Sequence, residues 1–323
     1  MRTGLQALVM LGLLYAGSST AHAQGLLPTE EQLNPAGLTL MWYGQAIIDR
    51  SRDQVEFITA DEQNVYIQSR TGILTCFGIE SGRQLWSALL GAPDHVGYAA
   101  ASNDRELLVT SGLTIYSLDK MTGNVLWELL IPTLPSASPE VDETTAYVGT
   151  VDGSVYAYDL ARVRQLHKEG RLPQWAHLAR LWRYKTPREI IAPPISTGAT
   201  VAFASRQGLV IGVAAKSKKL KFQFETDAQI RTPVGRSNEL IFVTEKNGRL
   251  YCLNQDNGTM RWAFSTGAPI DHQPRVVGPQ VFVVPYREGL ECVSVASGYR
   301  QWNQKKVTEF IAASEDKVYA SDL

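Results

Sequence analysis

Seven aromatic residues, six of them tryptophan, recur along the chain, each closing a run made of a small residue, an Asp or Asn, and a Gly-containing turn. They are Trp42, Trp86, Trp127, Trp182, Phe222, Trp262 and Trp302. From Trp86 onward the gaps are 41, 55, 40, 40 and 40 residues. A period near 40 is that of a four-stranded propeller blade, and units that cannot bury their apolar faces alone must stack into a continuous core. The 323 residues are therefore expected to form an all-β ring, a β-propeller of four-stranded antiparallel blades, rather than two unrelated domains.

The copy from Ile230 to Thr266 shows how the pattern makes strands. Ile230–Val234 is read as the inner strand, with Pro233 tolerable where one edge lines a channel. Leu240–Thr244, Leu250–Leu253 and Met260–Phe264 follow, separated by Asn247-Gly248 and Asn257-Gly258, whose positive-φ residues suit tight hairpins. Gly recurs at the second-to-third strand turn as Gly72, Gly112, Gly153, Gly208, Gly248 and Gly289. The third-to-fourth turn repeats as Ser81-Gly82, Thr122-Gly123, Asn257-Gly258 and Ser297-Gly298. Turn chemistry and hydrophobic alternation agree in copy after copy, which is what a sequence that specifies one fold looks like.

The run from Ser117 to Trp127, SLDKMTGNVLW, and its counterpart from Cys252 to Trp262 resemble the tryptophan-docking repeat of pyrroloquinoline-quinone (PQQ)-like β-propellers. The resemblance extends over nearly all of residues 38–323. It implies that each indole packs between neighbouring blades, against the small residue ten positions earlier and a Gly turn. That slot holds Cys76, Ser117, Ala157, Gly212, Cys252 and Cys292. A buried small filler explains the three cysteines better than a redox or metal role, and their placement in separate blades keeps the sulfurs apart.

Seven markers imply seven blades, the last of them incomplete. Leu38–Gly44 is read as a lone outermost strand and Glu309–Ala313 with Val318–Leu323 as the first two strands of the same closing blade, an arrangement that protects exposed edges. Its third strand is missing from the sequence, from which we expect the natural chain to continue past Leu323. Residues 1–23 read as a secretory signal: Arg2, an apolar run from Leu5 to Ala16, and an Ala21-His22-Ala23 cleavage site. The apolar run is short for a membrane span, so an exported protein, periplasmic or secreted, with no transmembrane segment after cleavage is expected. Residues 24–37 are read as a linker with one helical turn.

Between Asp159 and Trp182 the third blade carries about 14 to 15 extra residues relative to its neighbours. This insertion, 160–181, is rich in cations, among them Arg162, Arg164, Lys168, Arg171 and Arg180, with His167 and His177 and only Glu169 as a carboxylate. Ala161–Glu169 and Gln174–Leu181 are expected to be short helices broken at Gly170 and Pro173. The equivalent turn of the next blade is Lys216-Ser217-Lys218-Lys219. Both should emerge on the same face of the ring, giving a basic surface with Trp175 and Leu178 as apolar anchors for an anionic partner, such as an acidic protein, phospholipid headgroups or an acidic glycan. A solvated protrusion is the competing reading.

A formal net charge of −1 rules out a generally cationic protein, and nucleic-acid binding is not expected. Quinoprotein dehydrogenases share the repeat, and a PQQ- and calcium-dependent dehydrogenase, or a degenerate relative, is the alternative function. Such enzymes use carboxylate and amide calcium ligands, an Asp base and sometimes adjacent cysteines; here no two cysteines are adjacent and no acidic cluster interrupts the repeat. Arg231, Asp271 and His272 are the residues expected to line the channel. No zinc-type His spacing, nucleophile elbow or phosphate loop is present, so no cofactor or metal is predicted. The chain also resembles the outer-membrane assembly propeller of Gram-negative bacteria, a lipid-anchored, eight-bladed scaffold. With no Cys at the cleavage site and seven markers here, the resemblance implies the scaffold class: an exported, non-catalytic propeller expected to act as a protein-binding or assembly scaffold, with cell-envelope assembly as its setting.

Overall fold

The computed structural model describes residues 29–49, 51–237, 239–314 and 317–322. The signal reading of residues 1–23 lies outside them. Six four-stranded antiparallel sheets and one two-stranded sheet follow one another along the chain. Blade 1 holds β1 (Val55–Ala60), β2 (Asn64–Ser69), β3 (Ile73–Gly78) and β4 (Gln84–Leu89); blade 2 holds β5 (Gly97–Ser102), β6 (Glu106–Ser111), β7 (Thr114–Asp119) and β8 (Val125–Leu130). Blade 3 holds β9 (Glu140–Val141), β10 (Thr145–Gly149), β11 (Ser154–Asp159) and β12 (Arg180–Lys185); blade 4 holds β13 (Ile195–Ser196), β14 (Thr200–Ser205), β15 (Leu209–Ala214) and β16 (Leu220–Glu225). Blade 5 holds β17 (Gly235–Ser237), β18 (Leu240–Thr244), β19 (Arg249–Asn254) and β20 (Met260–Ser265); blade 6 holds β21 (Arg275–Val277), β22 (Gln280–Val283), β23 (Leu290–Ser294) and β24 (Arg300–Gln304). The seventh blade contributes β25 (Glu309–Ala313) and β26 (Val318–Ser321). Ahead of the ring, α1 (Glu30–Leu33) and a 3-10 turn over Asn34–Ala36 occupy the linker.

The middle strands of each complete blade are buried on both faces, because the apolar sides of neighbouring blades meet there. Clusters such as Tyr147, Trp182, Val201, Phe203 and Ile211 form the seam between blades 3 and 4. In all six blades the third strand places its small residue directly opposite the aromatic of the fourth: Cys76 faces Trp86, Ser117 faces Trp127, Ala157 faces Trp182, Gly212 faces Phe222, Cys252 faces Trp262 and Cys292 faces Trp302. The pairing slips immediately after each of these residues. A bulge there bends the outermost strand and re-aims the aromatic ring towards the next blade.

Two strand assignments differ from the sequence reading. The inner strand of blade 5 is Gly235–Ser237, whereas Ile230 makes an isolated bridge to Glu245. Ile190 and Ile270 do the same with Ser205 and Pro285, so this segment is a repeated link between blades. Its Thr hydroxyls fasten it: Thr186, Thr226 and Thr266 donate to the carbonyls of Gly153, Gly208 and Gly248 at 2.9, 2.9 and 2.8 Å. The apolar Ile and its Pro neighbour mimic a strand, but the backbone groups are committed to the link. Leu38–Gly44 likewise forms no strand, since no strand among the described residues lies beside it to pair with.

Trp42, Trp86, Phe222 and Trp262 dock on Gly82, Gly123, Gly258 and Gly298, where a side chain would leave no space for the ring. A Cβ on Gly298, at φ 73°, would fall 2.5 Å from the Trp262 ring, whereas one on Gly170, at φ 66°, would meet nothing within 4 Å. Gly298→Val should therefore destabilise the fold by roughly 2–5 kcal/mol and Gly170→Val by only about 1–2 kcal/mol, the left-handed backbone share alone. Urea unfolding of the two variants checks the difference.

Candidate functional site

At four seams the indole N–H donates to a carbonyl in the next blade's third-to-fourth turn. Trp42 reaches Ile79 at 2.7 Å, Trp86 reaches Lys120 at 2.9 Å, Trp182 reaches Ala215 at 2.5 Å and Trp262 reaches Val295 at 2.8 Å. Phe222 packs on Gly258 and has no N–H to give, and Trp302 reaches no acceptor among the described residues.

Trp127 is different because the turn it should meet has become the insertion. Asp159 holds the position at which Asp119 caps a tight turn by accepting from Met121 and Thr122. Here the Asp159 carboxylate accepts from Ala161 and Arg162 and caps α2 (Leu160–Lys168). Leu160 stands where the acceptor carbonyl would be, and in the first turn of a helix that carbonyl is committed to the residue four positions on. Trp127 turns instead to the buried carboxylate of Glu106 in its own blade, 2.8 Å away. Ser117 and Arg164, the latter from α2, complete the carboxylate's partners. Leu160, Val163 and Leu166, one face of α2, bury themselves with Trp127, Leu129 and Ile131 of blade 2.

The second expected helix is shorter than the sequence implied. Ala176–Ala179 is a 3-10 turn, and β12 already begins at Arg180, so pairing with β11 overrides helix propensity there. Trp175 and Leu178 are exposed, and Arg171 lies over the Trp175 ring at 5.2 Å. Not all of the cations are free. Arg162 and Arg171 share Glu169, and Arg164 is held by Glu106. Lys168, Arg180, Lys216, Lys218 and Lys219 have no ion-pair partner among the described residues, so the surplus charge rests on them. Lys218 adopts φ 50° at the turn position that Gly82, Gly123, Gly258 and Gly298 hold in other blades. A lysine there bears a left-handed backbone that a glycine would adopt without strain.

The channel is lined differently from the sequence expectation. Arg231, Asp271 and His272 are exposed on the blade links, because the inner strands start several residues later. A cavity of about 510 Å³ is lined instead by Glu140, Pro193, Pro194, Arg236, Pro274, Arg275 and Phe310 among others. Arg236 pairs with Glu140 at 3.4 Å and donates to the Ser196 carbonyl at 3.0 Å. Burial pushes the Glu140 carboxyl above its ordinary range, with Arg236 opposing. Among the described residues, no group of three or more His, Cys, Asp or Glu is placed to hold a metal ion, and no helix is long and apolar enough to cross a membrane.

Glu106 and the channel charges were not singled out from sequence. Glu106 had one legible signal: it begins the second strand of its blade, where the other complete blades have Asn64, Thr145, Thr200, Leu240 and Gln280.

Blades joined by indoles docking on the next blade's Gly turn define the PQQ-like class of β-propellers. The family model described as outer membrane protein assembly factor BamB matches residues 50–169 and 175–322, and the chain belongs to that family. The gap between the two matched stretches, residues 170–174, falls inside the insertion. The chain is 22% identical to BamB of Burkholderia pseudomallei (strain K96243) over 254 residues, 73% of this chain and 62% of that protein. It is 22% identical to BamB of Nitrosomonas eutropha (strain DSM 101675 / C91 / Nm57) over 272 residues, 79% of this chain and 60% of that one. The alignments thus span about three fifths of these relatives. Among solved structures, BamB from Moraxella catarrhalis superposes with a TM-score of 0.57 at 17% identity, covering 80% of this chain and 76% of that one. The computationally designed Ika8 protein superposes at 0.67 with 12% identity, covering 83% and 80%. Both share the fold.

Two outcomes test this site. Arg164→Ala should cost roughly 1–3 kcal/mol by stranding part of a buried carboxylate, and less in a Glu106→Gln background, which a double-mutant cycle will read. The three cysteines are buried and unpaired, and burial pushes the Cys76 and Cys252 thiols up to about 12 and Cys292 to about 11. They should resist a thiol reagent in the folded chain at pH 8 and react together on unfolding.

Proposed function

We propose that this chain is an exported, non-catalytic scaffold that holds a partner protein during outer-membrane assembly, using the face that carries the insertion. The observation that carries this reading is the rebuilt seam between blades 2 and 3. There the docking turn has been exchanged for a helix fixed by the buried carboxylate of Glu106 in blade 2, and the insertion leaves Trp175 and Leu178 exposed, with Arg171 lying over the Trp175 ring. Membership in the BamB family supports the assembly role, and the signal-like residues 1–23 support export to the periplasm. An acidic protein segment with an apolar residue for Trp175 fits this surface: desolvated aromatic anchors supply affinity, and the lysines steer the encounter. No cofactor enters this function.

Replacing Lys168, Arg180, Lys216, Lys218 and Lys219 with Ser should weaken partner capture by about tenfold at low salt while leaving thermal stability unchanged. A photo-cross-linker at residue 175 in the intact cell envelope reads this as loss of a defined protein adduct. Equal cross-linking by the variant would overturn the proposed face. Saturable binding of PQQ with calcium, accompanied by dye-linked alcohol oxidation, would overturn the scaffold reading itself.

A further inference from the structure

The seam between blades 1 and 2 reverses a packing rule of the later seams. Ahead of blades 4, 5 and 6 the link sets a buried isoleucine, Ile190, Ile230 or Ile270, opposite the end of the second strand. Its side chain lies across the seam against a small residue of the preceding blade: Ile190 on Gly149, and Ile230 in one cluster with Ala204. In blade 2 the same register position, opposite Ser111, belongs to Gly97. Across the seam from it stands Gln68, which like Gly149 lies two residues beyond the tyrosine that faces the small slot. A Cβ on Gly97 would fall 2.9 Å from the Gln68 amide nitrogen, so the amide takes the space that isoleucine fills elsewhere. Exchanging the sizes keeps the seam filled but changes its chemistry. Gln68 is 5% exposed, its amide makes no hydrogen bond among the described residues, and its Oε1 is fully enclosed. A buried polar group without a partner is costly, and an apolar side chain would fill the same space without that cost. Beside the amide lies a cavity of about 280 Å³. Leu74, Leu90 and Val109, all buried, give it an apolar wall. Ser111 also lines it, and its hydroxyl has no hydrogen-bond partner among the described residues. The buried lining is uncharged, whereas Glu56, Arg70 and Asp94 set charges of both signs on the exposed rim.

We propose that this cavity is a binding site for a neutral aliphatic amide, a branched apolar group attached to a peptide or carboxamide unit. The amide pairs with Gln68, whose terminal bond turns to offer either its N–H donors or its carbonyl acceptor, and Ser111 supplies a further partner. The apolar group rests on Leu74, Leu90 and Val109, where leaving water is favourable. A charged ligand is disfavoured, because its charge would be buried against an uncharged lining. The volume lies just under the roughly 300 Å³ at which pockets for drug-sized ligands begin, so the occupant is a single amino-acid-sized unit. That unit is either an aliphatic residue presented by a partner chain or a free small amide; the recognition chemistry is the same. The cavity is built on a second-to-third strand turn and a blade link, whereas the insertion replaces a third-to-fourth turn. Antiparallel strands carry those two kinds of turn to opposite ends of the sheet, so this site and the basic surface lie on opposite faces of the ring.

The test titrates the full chain, isotope-labelled on its glutamine side-chain amides, with N-acetyl-leucinamide and follows it by NMR. We expect a saturable shift of the Gln68 amide signal, which is assigned by its disappearance in Gln68→Leu. N-acetyl-leucine, which carries a carboxylate in place of the terminal amide, should bind about tenfold more weakly. Gln68→Leu should lose binding yet melt at a higher temperature, because it replaces an unpaired amide with an apolar side chain of similar size. Gln68→Gly combined with Gly97→Ile rebuilds the pair made by Gly149 and Ile190, and should stay folded without binding. A blocked neutral peptide with leucine at its centre separates the two sources. Binding at least as tight as that of N-acetyl-leucinamide assigns the site to a partner chain, and weaker binding assigns it to a free ligand. Absence of any shift, or unchanged binding by Gln68→Leu, would overturn the proposal. So would a crystal structure, grown with the amide, in which Gln68 is met by an ordered water only. The Lys-to-Ser variant of the basic face should bind N-acetyl-leucinamide unchanged, which separates this site from that one.

Discussion

The ring depends on one contact repeated at four of its seams: the face of an aromatic side chain laid on a residue that has no Cβ. A flat ring can approach backbone this closely only over glycine, and the left-handed φ that tightens the turn also favours glycine. The small residue behind the ring and the bulge beside it follow from the same demand, because the aromatic must leave its own sheet and lie along the next. Blade by blade the contact is modest. Closure makes the modest contacts mutually dependent, as in any repeat whose units bury their faces only on neighbours.

Variation then accumulates where the contact can be replaced without being lost. At the seam between blades 2 and 3 the Gly turn is gone, yet Trp127 is still buried and its N–H still satisfied, now by a carboxylate that also anchors the helix displacing the turn. The protrusion is thus part of the seam rather than an appendage to it. Neutralising three of its arginines holds it in place and concentrates the uncompensated charge at Lys168, Arg180 and the lysine turn. Lys218 keeps a left-handed backbone at the junction with blade 4, where glycine would be the relaxed choice. Strain of that kind is commonly retained where a side chain has a task beyond the fold.

Much of this was legible in the sequence because it is written in local, repeated residues: the aromatics, the Gly turns and the small slot are each fixed by one position's sterics. What escaped is set by hydrogen-bond partners distant in sequence. The bulges have no residue signature of their own. Ile230–Val234 has strand composition, but Thr226 and the bridge to Glu245 tie it into a link between blades. Leu38–Gly44 has the composition of β20 without a neighbour to pair with. The basic character of 160–181 was visible, but not its partial cancellation, since Glu106 lies 58 residues from Arg164. The channel charges were misplaced for the same reason as the inner strands, by a few residues that decide which side chains face the axis.

The seams are unequal. Phe222 docks on blade 5 with no N–H to give, and the Trp302 indole meets no acceptor among the described residues, whereas the seam between blades 5 and 6 keeps its bond from Trp262 to Val295. The seam between blades 4 and 5 makes up for the missing indole with other polar contacts: the Thr200 hydroxyl donates to Asp256 and Arg236 donates to the Ser196 carbonyl, at 2.7 and 3.0 Å, so a seam can change its chemistry and still be tied across by hydrogen bonds.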